Sequence, residues 1–309
     1  MVRYIFRRII LVIPVLFAVT FIIFSLMHFS SADPARMILG EQATGEQIEQ
    51  LREEMGLNDP FFTQYFRYTK GVFIDGDLGR SYLTNRPVNE EIESRFPNTI
   101  KLAATSILVA VGIGIPLGVI SAVKQNTWID NGSMFVALLG VSMPVFWQGM
   151  LLILLFSLTL GWLPSSGYGT WQQMVLPAIA LGSGSAAIIA RMTRSSMLEV
   201  HRQDYIRTAR AKGLREFLVV NRHTLRNALI PVVTVIGLQF GSLLGGAVLT
   251  ETIFGIPGLG SMVVQGIRTR DMMIVQGGVI LIALTFTLIN LVVDIAYGFL
   301  DPKIREQIN

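Results

Sequence analysis

For sixty residues, from Asn131 to Ala190, the chain carries no Asp, Glu, Lys or Arg. A soluble domain has about one charged residue in four, so a block of this kind has no place on a wetted surface. A helix needs roughly 20 mainly apolar residues to cross a bilayer core about 30 Å thick, so this one block is long enough for two crossings. The chain as a whole is built in the same way, at 51% hydrophobic and 15% charged. That balance excludes a soluble two-domain enzyme, and equally a disordered or fibrous chain. Cysteine is absent, which removes disulfides, thiolate metal sites and cysteine nucleophiles. Three scattered histidines, His28, His201 and His223, argue against a multi-histidine metal centre.

Six stretches are predicted to span: Ile9–Phe29, Leu102–Val123, Gly132–Leu160, Met174–Ala190, Leu229–Thr250 and Met272–Val293. The fourth is near the lower length limit. Pro116 and Pro144 are candidate kinks in the second and third. Gly161 to Gly167 mixes turn formers with aromatics and is followed by Tyr168 and Trp171, the composition of a short interfacial loop. The first stretch runs well beyond the 7–15 apolar residues of a cleaved signal and is taken as a retained anchor.

Basic residues near short loops set orientation. With the N-terminus inside, fifteen Lys and Arg fall on inner segments, nine of them between Arg191 and Arg226, and only Arg268 and Arg270 on short outer loops. Both termini are therefore expected in the cytoplasm. Residues 30–97 then lie outside. They hold twelve of the twenty-one acids against seven Lys and Arg. Glu46–Met55 has helical spacing of Ile48, Leu51 and Met55, while Asp59-Pro60 and Asp75-Gly76-Asp77 read as turns. The expected organisation is an anchor helix (1–29), an extracytoplasmic cap (30–97), a five-helix core (98–299) with a cytoplasmic loop at 191–227, and a tail (300–309).

The chemistry missing from the chain is informative. No GxxxxGK[ST] phosphate cradle occurs, so the chain is not expected to hydrolyse nucleotide or to be an enzyme. The central parts of spans two to five have no ionisable group of the kind that carries a coupling ion. Asp294 ends the sixth span beside Tyr297 and Asp301 and reads as an interfacial residue. No filter sequence or charged ring suggests a channel. The pathway is thus expected to be passive and driven from outside the chain.

The loop RMTRSSMLEVHRQDYIRTARAKGLREFLVVNRHTLR, from Arg191 to Arg226, holds nine basic and three acidic residues. Asp204, Tyr205, Ile206, Arg207, Thr208, Ala209, Arg210, Ala211 and Lys212 form a predicted helix, with Asp204 favoured at its N-terminal end by the macrodipole. Gly213 follows as a stop where a left-handed backbone is required, and a helical pattern resumes from Leu214. Small residues at Thr208, Ala209 and Ala211 permit close approach by another body. Tyr205 and Ile206 are expected to be exposed beside them as anchors. Lipid attraction alone would account for the charge, but not for the regular helix, elbow and helix.

These residues carry a resemblance. Arg207-Thr208-Ala209, Gly213 three residues on, and His223-Thr224-Leu225 nine further resemble the E-A-A-x(3)-G-x(9)-I-x-L-P loop of ATP-binding-cassette (ABC) importer membrane subunits. DYIRTARAKGL followed by LRNALIPVVT is similar to the first permease subunit of the dipeptide/oligopeptide/nickel importers. So are ADPAR at Ala32–Arg36, Asp77-Leu78-Gly79 with Ser81, Arg191 to Ser195, ETIF at Glu251–Phe254 with Pro257 to Gly260, and Asp294 with Asp301-Pro302. Here Arg207 replaces the acid, Thr208 one alanine and Arg226 the proline. The first two changes are usual for the peptide branch.

The resemblance implies an all-α polytopic protein with the type I ABC importer transmembrane fold in a bacterial or archaeal cell membrane. It implies a second, related permease subunit, two cytoplasmic ATPases that hold ATP and magnesium, an external solute-binding protein, and a peptide substrate. No cofactor or metal is expected in this chain, and no nucleic acid partner. ATPase coupling is assigned to Asp204 through Leu214. Gly237, Gly241 and Gly245, and likewise Gly114 and Gly118, recur every four residues and suit close helix packing or the pathway. Phe146, Trp147 and Gln148 are cavity or interface candidates. Glu251, Pro257, Arg268 and Arg270 are candidates for an outer gate or binding-protein contact. Nickel chelates or glutathione are alternative cargoes. A stand-alone carrier and a non-transporting scaffold are the rival classes.

Overall fold

The computed structural model describes residues 2–29, 33–40 and 42–300. The Asp294 side chain, Ala32, and the tail with Asp301, Lys303 and Arg305 lie outside the described residues. Thirteen α-helices run in chain order: α1 Val2–His28, α2 Pro34–Leu39, α3 Gly45–Glu54, α4 Phe61–Lys70, α5 Val88–Val123, α6 Trp128–Ser142, α7 Val145–Leu152, α8 Trp171–His201, α9 Asp204–Ala211, α10 Glu216–Leu218, α11 Arg226–Phe254, α12 Leu259–Thr269 and α13 Met272–Leu300. Wide π turns prolong α4 over Gly71–Asp75 and α7 over Ile153–Thr159, and Val219–Leu225 joins α10 to α11.

Among the described residues, four helical stretches are long and apolar enough to cross a membrane: Val88–Val123, Trp171–His201, Glu216–Phe254 and Met272–Val293. The predicted third span differs from expectation. It is not one rod, because α6 and the helix from Val145 to Thr159 meet at 106°. Met143 takes an extended backbone and Pro144 cannot donate to the turn before it. The bend is therefore far sharper than a kink. The helix α1 runs over 27 residues, Val2–His28, with an apolar stretch at Ile10–Leu26.

The chain divides into two compact units. The first holds Thr99–Ile256 with Met1–Phe6 and Thr285–Asn309. Its centre is α8, whose mean hydropathy of 1.6 is below the 1.9–2.3 of the other crossing helices although more of it is enclosed. The cause is its sequence. Ala178, Ala180, Ala186, Ala187 and Ala190 are all buried, and small residues let neighbours approach closely where a bulkier apolar face would hold them off. The expected short fourth span is consequently one helix from Trp171 to His201. The central core joins Leu102, Leu176, Leu181, Leu243, Leu244 and Phe254.

The second unit holds Arg7–Asn98 and Pro257–Leu284. It contains most of α1, the helices expected in the cap, and α12. The Thr44 hydroxyl and the Gln47 side chain cap α3 reciprocally. Tyr65 of α4 reaches α1, where its hydroxyl donates to the Phe17 carbonyl at 3.1 Å and lies 3.2 Å from Thr20. Around that contact Phe21 and Phe24 pack against the Tyr65 ring. Val88, Ile92, Leu259, Met262 and Ile274 form this unit's apolar core.

Candidate functional site

The basic loop folds as a helix, an elbow and a second helix. After α8 ends at His201, Gln203 takes an extended backbone and α9 starts at Asp204. At its other end Gly213 adopts φ +75°, the left-handed conformation that favours glycine. The Gly213 amide donates to the Arg210 carbonyl at 2.9 Å and the Leu214 amide to the Ala209 carbonyl at 3.4 Å. This paired closure is a Schellman stop. A Cβ built on Gly213 meets nothing within 4 Å, so the glycine serves the backbone turn and also leaves the surface open.

An eight-residue helix is unstable in isolation, so α9 has to be held. Ile206 (0% exposed) and Ala209 pack with Val219, and Val200 of α8 closes that cluster. This corrects the expectation that Ile206 is an exposed anchor: helical spacing puts 206 and 209 on one face, and that face turns inward. Arg210 adds a polar brace. Its guanidinium donates to Glu216 at 2.7 and 3.1 Å and stands 2.6 Å from His201 Nε2. The Tyr205 hydroxyl accepts from Asn227 Nδ2 at 2.9 Å while its ring stays half exposed.

The opposite side of α9 is free. Arg207, Thr208, Ala211, Lys212, Gly213 and Leu214 are exposed, as is Asp204. Phe217, on α10, is 74% exposed. In the sequence Phe217 is one apolar position of the helical pattern that resumes from Leu214. Its signal was an aromatic placed between Glu216 and Asn221 directly beyond the elbow.

The remaining candidates separate. A Cβ on Gly114 would stand 2.6 Å from the Ala186 carbonyl oxygen, and one on Gly118 the same distance from that of Ala190. Both glycines hold α5 against α8. Gly237 and Gly241 face Val293 and Ile289 of α13, whereas Gly245 meets nothing within 4 Å. Phe146 and Trp147 are exposed, and Gln148 accepts a 2.6 Å hydrogen bond from Ser183. Glu251 is 0% exposed and accepts a 2.6 Å hydrogen bond from Thr99. It is therefore a buried tie and not a surface contact, because it lies inside α11 and not in the turn that follows. Pro257, Arg268 and Arg270 belong to the second unit and are exposed there. The Pro257 carbonyl accepts from Asn98 at 2.8 Å.

One linkage was missed. Asp130 (2% exposed) takes a two-pronged grip from Arg194, at 2.8 Å from Nε and 2.7 Å from Nη2, and also accepts from the Ser121 hydroxyl and the Asn126 amide. It ties α5, the following turn and α6 to α8, ten residues before α9. The only hint was that Asp130 and the Arg191–Arg194 group bound the charge-free block from either side.

Two family models cover most of the chain. "Binding-protein-dependent transport system inner membrane component" matches residues 114–306, and the N-terminal companion model matches 1–103. The dipeptide transport system permease protein DppB of Alkalihalophilus pseudofirmus is 46% identical, over 99% of this chain and 100% of that protein. The glutathione transport system permease protein GsiC of Escherichia coli K12 is also 46% identical, over 99% of each. Among solved structures, an inward-facing MetNI methionine ABC transporter chain aligns with a TM-score of 0.60 at 20% identity, covering 68% of this chain and 96% of that one. An amino acid ABC transporter chain aligns at 0.52 and 16% identity, covering 71% and 94%. At these identities the two structures speak for the fold.

Proposed function

The chain belongs to the family of binding-protein-dependent transport system inner membrane components, and from that premise we propose that it is the non-catalytic permease subunit of an ATP-driven importer of short peptides. In this reading it lines half of a pathway across the cell membrane, with a second, related permease providing the other half. Two cytoplasmic ATPases supply the work, and an external binding protein delivers the cargo. Both termini and the elbow lie on the cytoplasmic side.

The observation that carries the proposal is the build of α9. It is fastened from within by Ile206 and Ala209, stopped at Gly213, and bare on its outer side. A docking helix has to be stiff on its own subunit to transmit force and uncovered on the other side to be gripped. When ATP draws the ATPases together, α9 is carried with them. Movement then passes back through α8 and forward through the helix from Glu216 to Phe254. Such switching is a shift between two packings biased by nucleotide. The close α5–α8 crossing at Gly114 and Gly118 suits rigid bodies that move as units.

Short peptides are the cargo class because relatives at equal identity are named for dipeptide and for glutathione, itself a tripeptide. The coupling role is tested by Gly213→Asp in the whole importer reconstituted with its binding protein. Nothing in the chain stands where the new side chain begins, so the subunit still inserts. The left-handed backbone and the added bulk on the bare side abolish ATP-driven peptide uptake. Normal uptake by this variant would refute the role of the elbow.

A further inference from the structure

The second unit encloses a cavity of about 680 Å³, within the range of sites that take small-molecule ligands. Its walls combine apolar groups such as Phe24, Leu57, Met272 and Met273 with polar ones. Three polar groups stand out. The Tyr68 hydroxyl is buried and has no hydrogen-bond partner among the described residues. The Gln276 side chain is 4% exposed and lines the same wall, bringing a carboxamide to it. The Tyr82 ring lines the same space, and its backbone amide donates to Asp271. Burial pushes both phenols above their ordinary pKa, so each remains a neutral hydroxyl able to donate.

Buried polar groups in folded proteins nearly always find partners, and each one left over calls for an explanation. Two hydroxyls and a carboxamide, which both donates and accepts, match the N–H and C=O groups of a peptide bond. The rim carries both signs of charge. Arg52 is paired with Asp33 at 2.9 Å and Arg67 with Asp59, and Asp77 also lines the wall. The Arg67–Asp59 pair is exposed on both sides and therefore weak, so its charges exchange partners readily. Free zwitterions of two or three residues satisfy such a rim. A protein loop, which has no terminal charges, does not.

We propose that this cavity is a binding site for a short free peptide, held by Tyr68 and Gln276 along its backbone and by the rim charges at its termini. It is separate from any site on the pathway between permease subunits. The choice of ligand rests on the peptide-import reading, while the site itself rests on the unpartnered Tyr68 hydroxyl and the polar groups that line the cavity with it.

The test uses the assembled importer in lipid nanodiscs, without binding protein or nucleotide, and radiolabelled Ala-Phe in equilibrium dialysis. Saturable binding of one Ala-Phe per chain is expected. Tyr68→Phe and Gln276→Leu should each weaken it about tenfold, the effect of losing one hydrogen bond to a buried group. N-acetyl-Ala-Phe-amide, which lacks both charges, should bind at least about tenfold more weakly. Both variants are near-isosteric, and co-purification with the other subunits verifies that they fold. No saturable binding, binding untouched by both variants, or equal binding of the capped peptide would each overturn the proposal. ATP-driven uptake of Ala-Phe, measured separately with binding protein present, tests the import reading alone. Uptake without cavity binding sinks only the site, and binding without uptake sinks only the import reading.

Discussion

Replacing Ile206 by Ala isolates the fastening of α9 from its docking surface, because Ile206 is fully buried and presents nothing to a partner. The change removes three carbons from the cluster with Ala209 and Val219. At about 0.8 kcal/mol per buried methylene the transfer loss is about 2.4 kcal/mol, and an unfilled cavity takes large-to-small changes to roughly 2–5 kcal/mol. The helix has only eight residues and little stability of its own, so the loss falls on local order. A shift of about 2.4 kcal/mol is roughly 60-fold in the ratio of seated to loosened α9. Apparent coupling falls with the seated fraction. The assay is twofold: amide hydrogen exchange over 204–211, and ATP-driven peptide uptake by the reconstituted importer. Faster exchange confined to the elbow is expected, together with at least a several-fold fall in uptake and retained ATPase association. Unchanged exchange over 204–211 alongside normal uptake would refute the reasoning, since it would mean that α9 is held by something other than this cluster.

The glycine rows give a paired prediction in the isolated subunit. Gly118→Ala puts a Cβ 2.6 Å from a backbone oxygen and should cost about 1–3 kcal/mol by overpacking, whereas Gly245→Ala meets nothing within 4 Å and should gain about 0.5–1 kcal/mol. Thermal unfolding in detergent reads both, and equal shifts would remove the assigned packing roles. Asp130→Ala leaves Arg194 without its carboxylate and should cost about 3 kcal/mol or more. Joint replacement of Asp130 and Arg194 by Leu should cost less than Asp130→Ala alone, and an additive outcome in thermal unfolding would show that the two do not act as a pair.

Much of the architecture was legible because bilayers impose a length rule and loops carry charge. The elbow was legible as well, since Asp204 and Gly213 mark its ends by chemistry local to the chain. Three features were not. The helix α8 read as short because the first charge after the apolar block, Arg191, marks the end of a span, whereas the helix runs on through the polar residues 191–201 to His201. The sharp bend at Met143 and Pro144 could not be told from an ordinary proline kink, because both leave the same residues in the sequence. The Asp130–Arg194 grip joins residues 64 positions apart, and no periodicity reports such a distance. Ile206 and Glu251 are both buried for a common reason: composition told which residues were notable, but the inward face of each helix was decided by what packed against it.

The run from Glu216 to Phe254 is one helical piece of 39 residues, about 58 Å long at 1.5 Å per residue. A seesaw of that length, pivoting at its middle, converts a tilt of about 10° into roughly 5 Å of travel at each tip. One tip carries Phe217 beside the elbow, and the other ends at Phe254 in the central core. Under the proposed coupling, a small push on the first reaches the second as a similar displacement, less what the wide turn at Val219–Leu225 and the missing hydrogen bond at Pro231 absorb. Together they set how much of the stroke arrives.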